Sequence, residues 1–299
     1  MDSQMLYCNN IVTSKRLTTY DQELIRTDVR VYTVDEILSR LENCIEYKLP
    51  FSHIRFGDGG IKYIHSLVYG DLQQLGVIVR KEGLPPDKLV EILELWGYYA
   101  RRADFIDTPA VYYNGKFWPR IKKPGKPINS DTDEKMRDWV DLYSRAELDN
   151  ENFCNPESNC LMIIKIEGKK NLFDLMKGRK ICCITARPEI KEIFPDMDIV
   201  NIVGQWENQY KNSFKKVVKI INERAKHYDF WLIAAGELGR IYSGLIKEKG
   251  GRCLDIGFVI EFWLESTLHP RFKLFLNNSQ TNRLELVLTN EGKKYEKYI

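Results

Sequence analysis

Arg55-Phe56-Gly57-Asp58-Gly59-Gly60 is where this sequence most plainly offers chemistry. A guanidinium and a carboxylate share a turn built from three glycines. Glycine takes positive φ and lets another group approach the backbone closely. Such a turn, leaving the apolar-leaning run from Phe51 to Ile54, suits a phosphate or a metal ion. An ordinary Asp-Gly bend between two core elements uses the same residues.

Three later runs end in comparable punctuation. Residues 180–185 lead to Ala186-Arg187-Pro188. Residues 230–235 lead to Gly236-Glu237-Leu238-Gly239-Arg240, and residues 252–256 lead to Gly257-Phe258. Ligands of open parallel sheets bind beyond the carboxyl ends of the strands. If these four runs are parallel neighbours, arginines, carboxylates and glycine turns converge on one edge. Gly236 to Gly239 also precedes a helical pattern, and a helix start attracts anions. The dinucleotide fingerprint is missing, because this segment is Gly-x-x-Gly and comes late in the chain. A Walker loop and a Gly-x-Ser-x-Gly elbow are also missing. His53, His65, His227 and His269 lack ligand spacing and read as structural or surface residues.

The elements that must position these turns follow from periodicity. Thr33 and Glu36 have capping-box spacing, and Ile37, Leu38, Leu41, Cys44 and Ile45 then share a helical face. Residues 61–68 restart as a helix after the Asp58 turn. Pro85 and Pro86 open a helix with Leu89, Ile92, Leu93 and Trp96 inside. Residues 107–132 are irregular and carry the basic, proline-punctuated loop 122–127, a solvated loop or a flap over an anion. Residues 133–147 read as helix and 149–160 as loop.

The second half alternates strand and helix: strand 180–185, short helix 188–194, strand 199–203, helix 210–226, strand 230–235, helix 238–249, strand 252–256. Gly250-Gly251 closes the last helix. The series predicts an α/β fold, a mostly parallel sheet with helices on both faces. Residues 272–276 and 284–288 predict an appended β-hairpin. The expected organisation is an extension over 1–30, one domain over 31–266, and a C-terminal hairpin extension over 267–299.

Composition bounds the class. The chain has 299 residues, 43% hydrophobic and 29% charged, with 45 Lys and Arg against 42 Asp and Glu. This is an ordinary globular balance, and a net charge of +3 does not favour nucleic acid as partner. No run approaches the roughly 18 apolar residues of a membrane span, so membrane association is expected to be peripheral at most. Without an export signal, the seven cysteines are expected to be reduced thiols in a cytoplasmic protein. Cys182 and Cys183 lie in an apolar run and should pack as small hydrophobes.

The Arg55 to Gly59 turn, the segment Ala234-Ala235-Gly236-Glu237-Leu238-Gly239-Arg240-Ile241-Tyr242, and Gly250-Gly251-Arg252-Cys253-Leu254-Asp255-Ile256-Gly257 occur in that order. In this the chain resembles the GT-D-type glycosyltransferases over roughly residues 33–265. The resemblance implies a Rossmann-like fold and a nucleotide-sugar donor. It implies transfer to a glycan or a lipid-linked oligosaccharide, in surface-polysaccharide or glycoprotein assembly.

It also implies site residues. Arg55 and Asp58 match the family's Arg-x-Gly-Asp-Gly-Glu motif, and Asp58 would hold a Mn or Mg ion. Gly60 stands where the family has Glu. Asp58 with diphosphate and water suffices in that role if the lost oxygen is dispensable. Otherwise Glu237 or Glu261 substitutes, or Arg55, Arg187 or Arg240 neutralises the diphosphate without metal. Loss of catalysis, leaving a nucleotide- or sugar-binding relative, is the remaining alternative. Asp58 and Glu261 are the catalytic candidates. Arg55, Gly57, Arg187, Gly236, Glu237, Gly239, Arg240 and Asp255 are the nucleotide-sugar-binding candidates. Trp206, Tyr210, Phe262 and Trp263 are aromatics suited either to stacking on a ring or to packing.

Overall fold

The computed structural model describes residues 30–32, 34–55, 76, 79–107, 111–113, 116–118, 152–154, 164–165, 171–204, 206–264 and 285–286. Strand β1 (Arg30–Tyr32) leads to helix α1 (Val34–Glu46), whose buried Ile37, Leu38, Leu41 and Cys44 are the face read from the sequence. Strand β2 (Phe51–Ile54) follows. Helix α2 (Leu89–Arg102) begins after the turn Pro86–Lys88 and buries Leu89, Ile92, Leu93 and Trp96. Next come β3 (Phe105–Asp107), β4 (Val111–Tyr113), β5 (Lys116–Trp118), β6 (Asn152–Cys154), β7 (Ile164–Lys165) and α3 (Leu172–Met176).

The second half alternates as its apolar runs predict. It comprises β8 (Ile181–Thr185), β9 (Asp198–Asn201), α4 (Lys215–Arg224), β10 (Phe230–Ala234), α5 (Gly239–Glu248), β11 (Arg252–Asp255) and α6 (Val259–Leu264). The amides of Gly250 and Gly251 return to the carbonyls of Lys247 and Ile246 at 2.9 and 2.8 Å and end α5. Strand β12 (Glu285–Leu286) pairs antiparallel with β7.

Eight strands form one sheet in the order β1-β6-β3-β2-β11-β10-β8-β9, and every pairing in it is parallel. Alternate side chains of a strand point to opposite faces. Cys182, Ile184, Trp231, Ile233 and Cys253 therefore pack with α2, α4 and α5 on one face. Ile181, Cys183, Phe230, Leu232 and Leu254 pack with α1, α3 and α6 on the other. Both faces are covered, which is why β8 and β10 read as unbroken apolar runs. The two adjacent cysteines are buried, free and on opposite faces.

Two expectations are corrected. Residues 152–154, read as part of a loop, form β6 inside the sheet. The irregular stretch after 107 contains the small antiparallel pair β4–β5. Each of these strands has three residues, too few to display a period of two. The expected helices 61–68 and 133–147, the basic loop 122–127, the extension before 30 and the first arm of the hairpin lie outside the described residues. Among the described residues no helix is long and apolar enough to cross a membrane.

Candidate functional site at the carboxyl edge of the sheet

Strands β2, β11, β10 and β8 are consecutive neighbours. Their registers pair His53 with Leu254, Asp255 with Ile233, and Ala234 with Thr185. The four strands therefore run out together, and the residues that follow them share one edge. Arg55, Asp255 to Gly257, Gly236 and Arg187 are brought there from positions up to two hundred residues apart in sequence.

Four of the charged residues, Arg55, Asp255, Glu237 and Arg240, are locked beneath that edge. The Asp255 carboxylate accepts from the Arg55 amide at 3.3 Å and from the Gly257 amide at 3.1 Å. Arg55 is 6% exposed; its guanidinium donates to the Ile256 carbonyl at 3.4 Å and lies 4.8 Å from the centre of the Phe258 ring. Gly257 has φ of +49°, a conformation that favours glycine, and a Cβ there would fall 1.9 Å from Arg55 Nη1, so the guanidinium would have to shift.

Arg240, at the start of α5, is also buried. It donates to the Arg55 carbonyl at 2.9 Å, pairs with Glu237, and sits 4.7 Å over the Trp96 ring. Glu237 is reached from the other side by Lys81 at 3.6 Å. Lys81, Glu237, Arg240 and the Arg55 carbonyl thus form a chain of alternating charge. Paired and hydrogen-bonded in this way, buried charges are tolerated. The chain fixes the end of β2 at Arg55. Gly239 is tight against β10: a Cβ there would lie 3.1 Å from Ile233 Cγ2.

Arg187 and Glu261 meet in a second, more accessible group. Arg187 follows β8, pairs with Glu261 of α6 and donates to Glu189 at 2.6 Å. Its side chain is 36% exposed. Gly236 is exposed and opens the turn before α5. The edge therefore offers a solvent-accessible guanidinium and a helix start, above a buried charge network.

Sequence reasoning missed Glu82. It is fully buried, and both its carboxylate oxygens lack a hydrogen-bond partner among the described residues. Burial pushes its carboxyl up to about 7, against the pull of Lys81 and Arg240. The hydroxyl of Tyr242 on α5 is likewise buried without a partner among the described residues. Nothing in Arg80-Lys81-Glu82 distinguishes the buried carboxylate from an ordinary solvated charge.

Gly57, Asp58 and Gly60 lie outside the described residues. Among the described residues no group of three His, Cys, Asp or Glu could hold a metal ion. Asp255 is committed to the Arg55 and Gly257 amides, and Glu237 to Arg240 and Lys81. The described side chains therefore do not make a metal cage, and a metal reading rests on Asp58. The aromatics separate cleanly. Trp263 is buried against Phe173 and Phe194. Tyr210 stacks on Phe214 at 4.9 Å. Trp206 is 63% exposed. The side chain of Phe262 lies outside the described residues.

No family model matches the chain, and no curated protein matches it. Solved structures do. A selenomethionine-substituted structure of domain of unknown function 1792 is 13% identical with a TM-score of 0.47, over 86% of this chain and 85% of that one. A protein described as a new glycosyltransferase of that domain type, from Streptococcus sanguinis, is 13% identical with a TM-score of 0.45, over 81% and 87%. A third, described as that domain with a distinct glycosyltransferase fold, is 14% identical with a TM-score of 0.43, over 86% and 85%. At this distance the likeness assigns no residue a role.

Proposed function

We propose that this chain is a glycosyltransferase that moves a sugar from a nucleotide-sugar donor to a glycan or glycolipid-linked acceptor. The observation that carries the reading is the convergence of four neighbouring parallel strand ends, with their arginines and glycine turns, on one edge. A leaving diphosphate gains negative charge, and guanidinium groups and helix starts stabilise it. Arg187 and the turn at Gly236 are the accessible groups suited to that. Arg55, Glu237, Arg240 and Asp255 act from below, fixing the end of β2. When a diphosphate takes up Arg187, the Glu261 carboxylate is released from its ion pair and is free to accept the acceptor's hydroxyl proton. Asp58 is the proposed ligand for Mn or Mg.

A second reading has one observation in its favour. Gly60 replaces the carboxylate that the resembled family carries, which fits a nucleotide- or sugar-binding relative without turnover. A panel of UDP-, GDP-, CMP- and dTDP-sugars separates the two. Released nucleotide is measured with Mn and with chelator, beside thermal-shift binding. Turnover of one donor supports the transferase. Binding without turnover supports the second reading, and no binding to any donor overturns both.

A further inference from the structure

We propose that Trp206 is a stacking platform for a ring of the bound substrate, a nucleobase or a pyranose, at the rim of the carboxyl edge. The proposal rests on the nucleotide-sugar reading of that edge and adds to it a residue and a ligand chemistry.

Four observations converge. First, Trp206 is 63% exposed, whereas Trp96, Trp231 and Trp263 are all buried. Second, it holds φ of +74°, a conformation that bulky residues rarely adopt. Strain of this kind persists only where surrounding structure enforces it, and it concentrates at ligand-binding positions.

Third, the loop is pinned. The Trp206 amide donates to the Lys81 carbonyl at 2.9 Å, and Asn212 Nδ2 donates to the Glu207 carbonyl at 2.8 Å. Gly83, at φ of +65°, abuts Asn208 so closely that a Cβ would lie 2.5 Å from the Asn208 Cα. Only a residue without a side chain permits that approach. Fourth, the loop follows β9 on the same sheet edge and is bonded to the segment whose Lys81 reaches Glu237. Trp206 is thus tied to the turn beneath the proposed diphosphate position.

The character of the surface selects the ligand class. The neighbours Glu207 and Asn208 are exposed and polar. An exposed aromatic flanked by polar side chains suits a ring with a flat face and polar edges, which describes both a base and a sugar. An apolar protein partner would need a wider apolar patch.

The test compares the 299-residue chain with Trp206→Ala and Trp206→Phe by isothermal titration. The probes are the nucleoside diphosphates UDP, GDP, CDP and dTDP, their sugar conjugates, and methyl glycosides. Because Trp206 is exposed, both variants should melt with the wild type. A stacked ring is worth roughly a tenfold or greater change in affinity. If the ring is the base, Trp206→Ala binds the preferred nucleoside diphosphate about tenfold or more weakly, and Trp206→Phe recovers most of the loss. If it is a sugar, binding of the diphosphate is unchanged, while binding of its sugar conjugate or of the methyl glycoside falls by the same factor. A wild type that binds these ligands and a Trp206→Ala variant that binds them all equally well overturns the platform alone. A wild type that binds none of them overturns both the platform and the reading on which it rests.

Discussion

Arg55 and Gly257 illustrate how little freedom single residues have at this edge. The Arg55 guanidinium occupies the space a side chain at 257 would need. Gly257→Ala must both adopt positive φ and displace a buried cation. A loss of about 1–3 kcal/mol is expected, seen as a lower urea midpoint at unchanged slope. Asp58 belongs to a different kind of prediction, because it is assigned to chemistry and not to packing. Asp58→Ala should abolish nucleotide release from the donor while leaving the melting temperature within a few degrees. Retained turnover in that variant refutes its role. Gly60→Glu is its companion and should increase dependence on added Mn.

At the scale of elements, α5 and β2 are joined by the chain of charge through Arg240 and Glu237. Removing Arg240 alone leaves the Glu237 carboxylate buried with Lys81 as its one cation among the described residues. Arg240→Met is expected to cost about 3–5 kcal/mol. Adding Glu237→Gln should restore a good part of that loss, and a double-mutant cycle by urea unfolding measures the coupling.

Glu82 makes a further prediction for the segment before α2. Its carboxyl is raised from 4.5 to about 7 by burial. Between those values the folded chain binds a proton that the unfolded chain has released. Stability contributed by this group is therefore lost as pH rises through that window. Glu82→Gln should flatten the fall and be more stable than wild type at pH 8 by on the order of 1–3 kcal/mol. Equal slopes for the two proteins between pH 5 and 8 contradict the assignment.

The elements also show what was legible in the sequence. Ile181–Thr185 and Phe230–Ala234 were readable because strands covered on both faces are apolar throughout. Asn152–Cys154 was not, because three residues next to polar loop chemistry carry no period. The gathering of strand ends was legible once the strands were taken as parallel neighbours. The different fates of the arginines were not. Arg187 and Arg240 both come a few residues after strand ends. Only packing decides that Arg240 folds under Trp96 while Arg187 stays accessible. Glu82 was invisible for the same reason, since burial of one carboxylate among charged neighbours is set by tertiary structure.

At the scale of the whole molecule, one parallel sheet positions Arg55, Asp255, Arg187 and the turn at Gly236 along a single edge. The unit 31–266 contains that sheet's strands from α1 onward, and we propose it as the binding unit. Deleting 267–299 removes the short β12 pairing to β7 but none of the eight strands of the main sheet. Donor binding should survive this truncation, as titration of the shortened chain would show.

The account's central claim is that the carboxyl edge of β2, β11, β10 and β8 is where a nucleotide sugar binds. Amide hydrogen exchange, read by mass spectrometry with and without the donor found to bind, addresses that claim directly. Added protection in the peptides covering 186–189, 235–240 and 256–258 is the predicted result. Binding accompanied by protection elsewhere and none at those strand ends would contradict it.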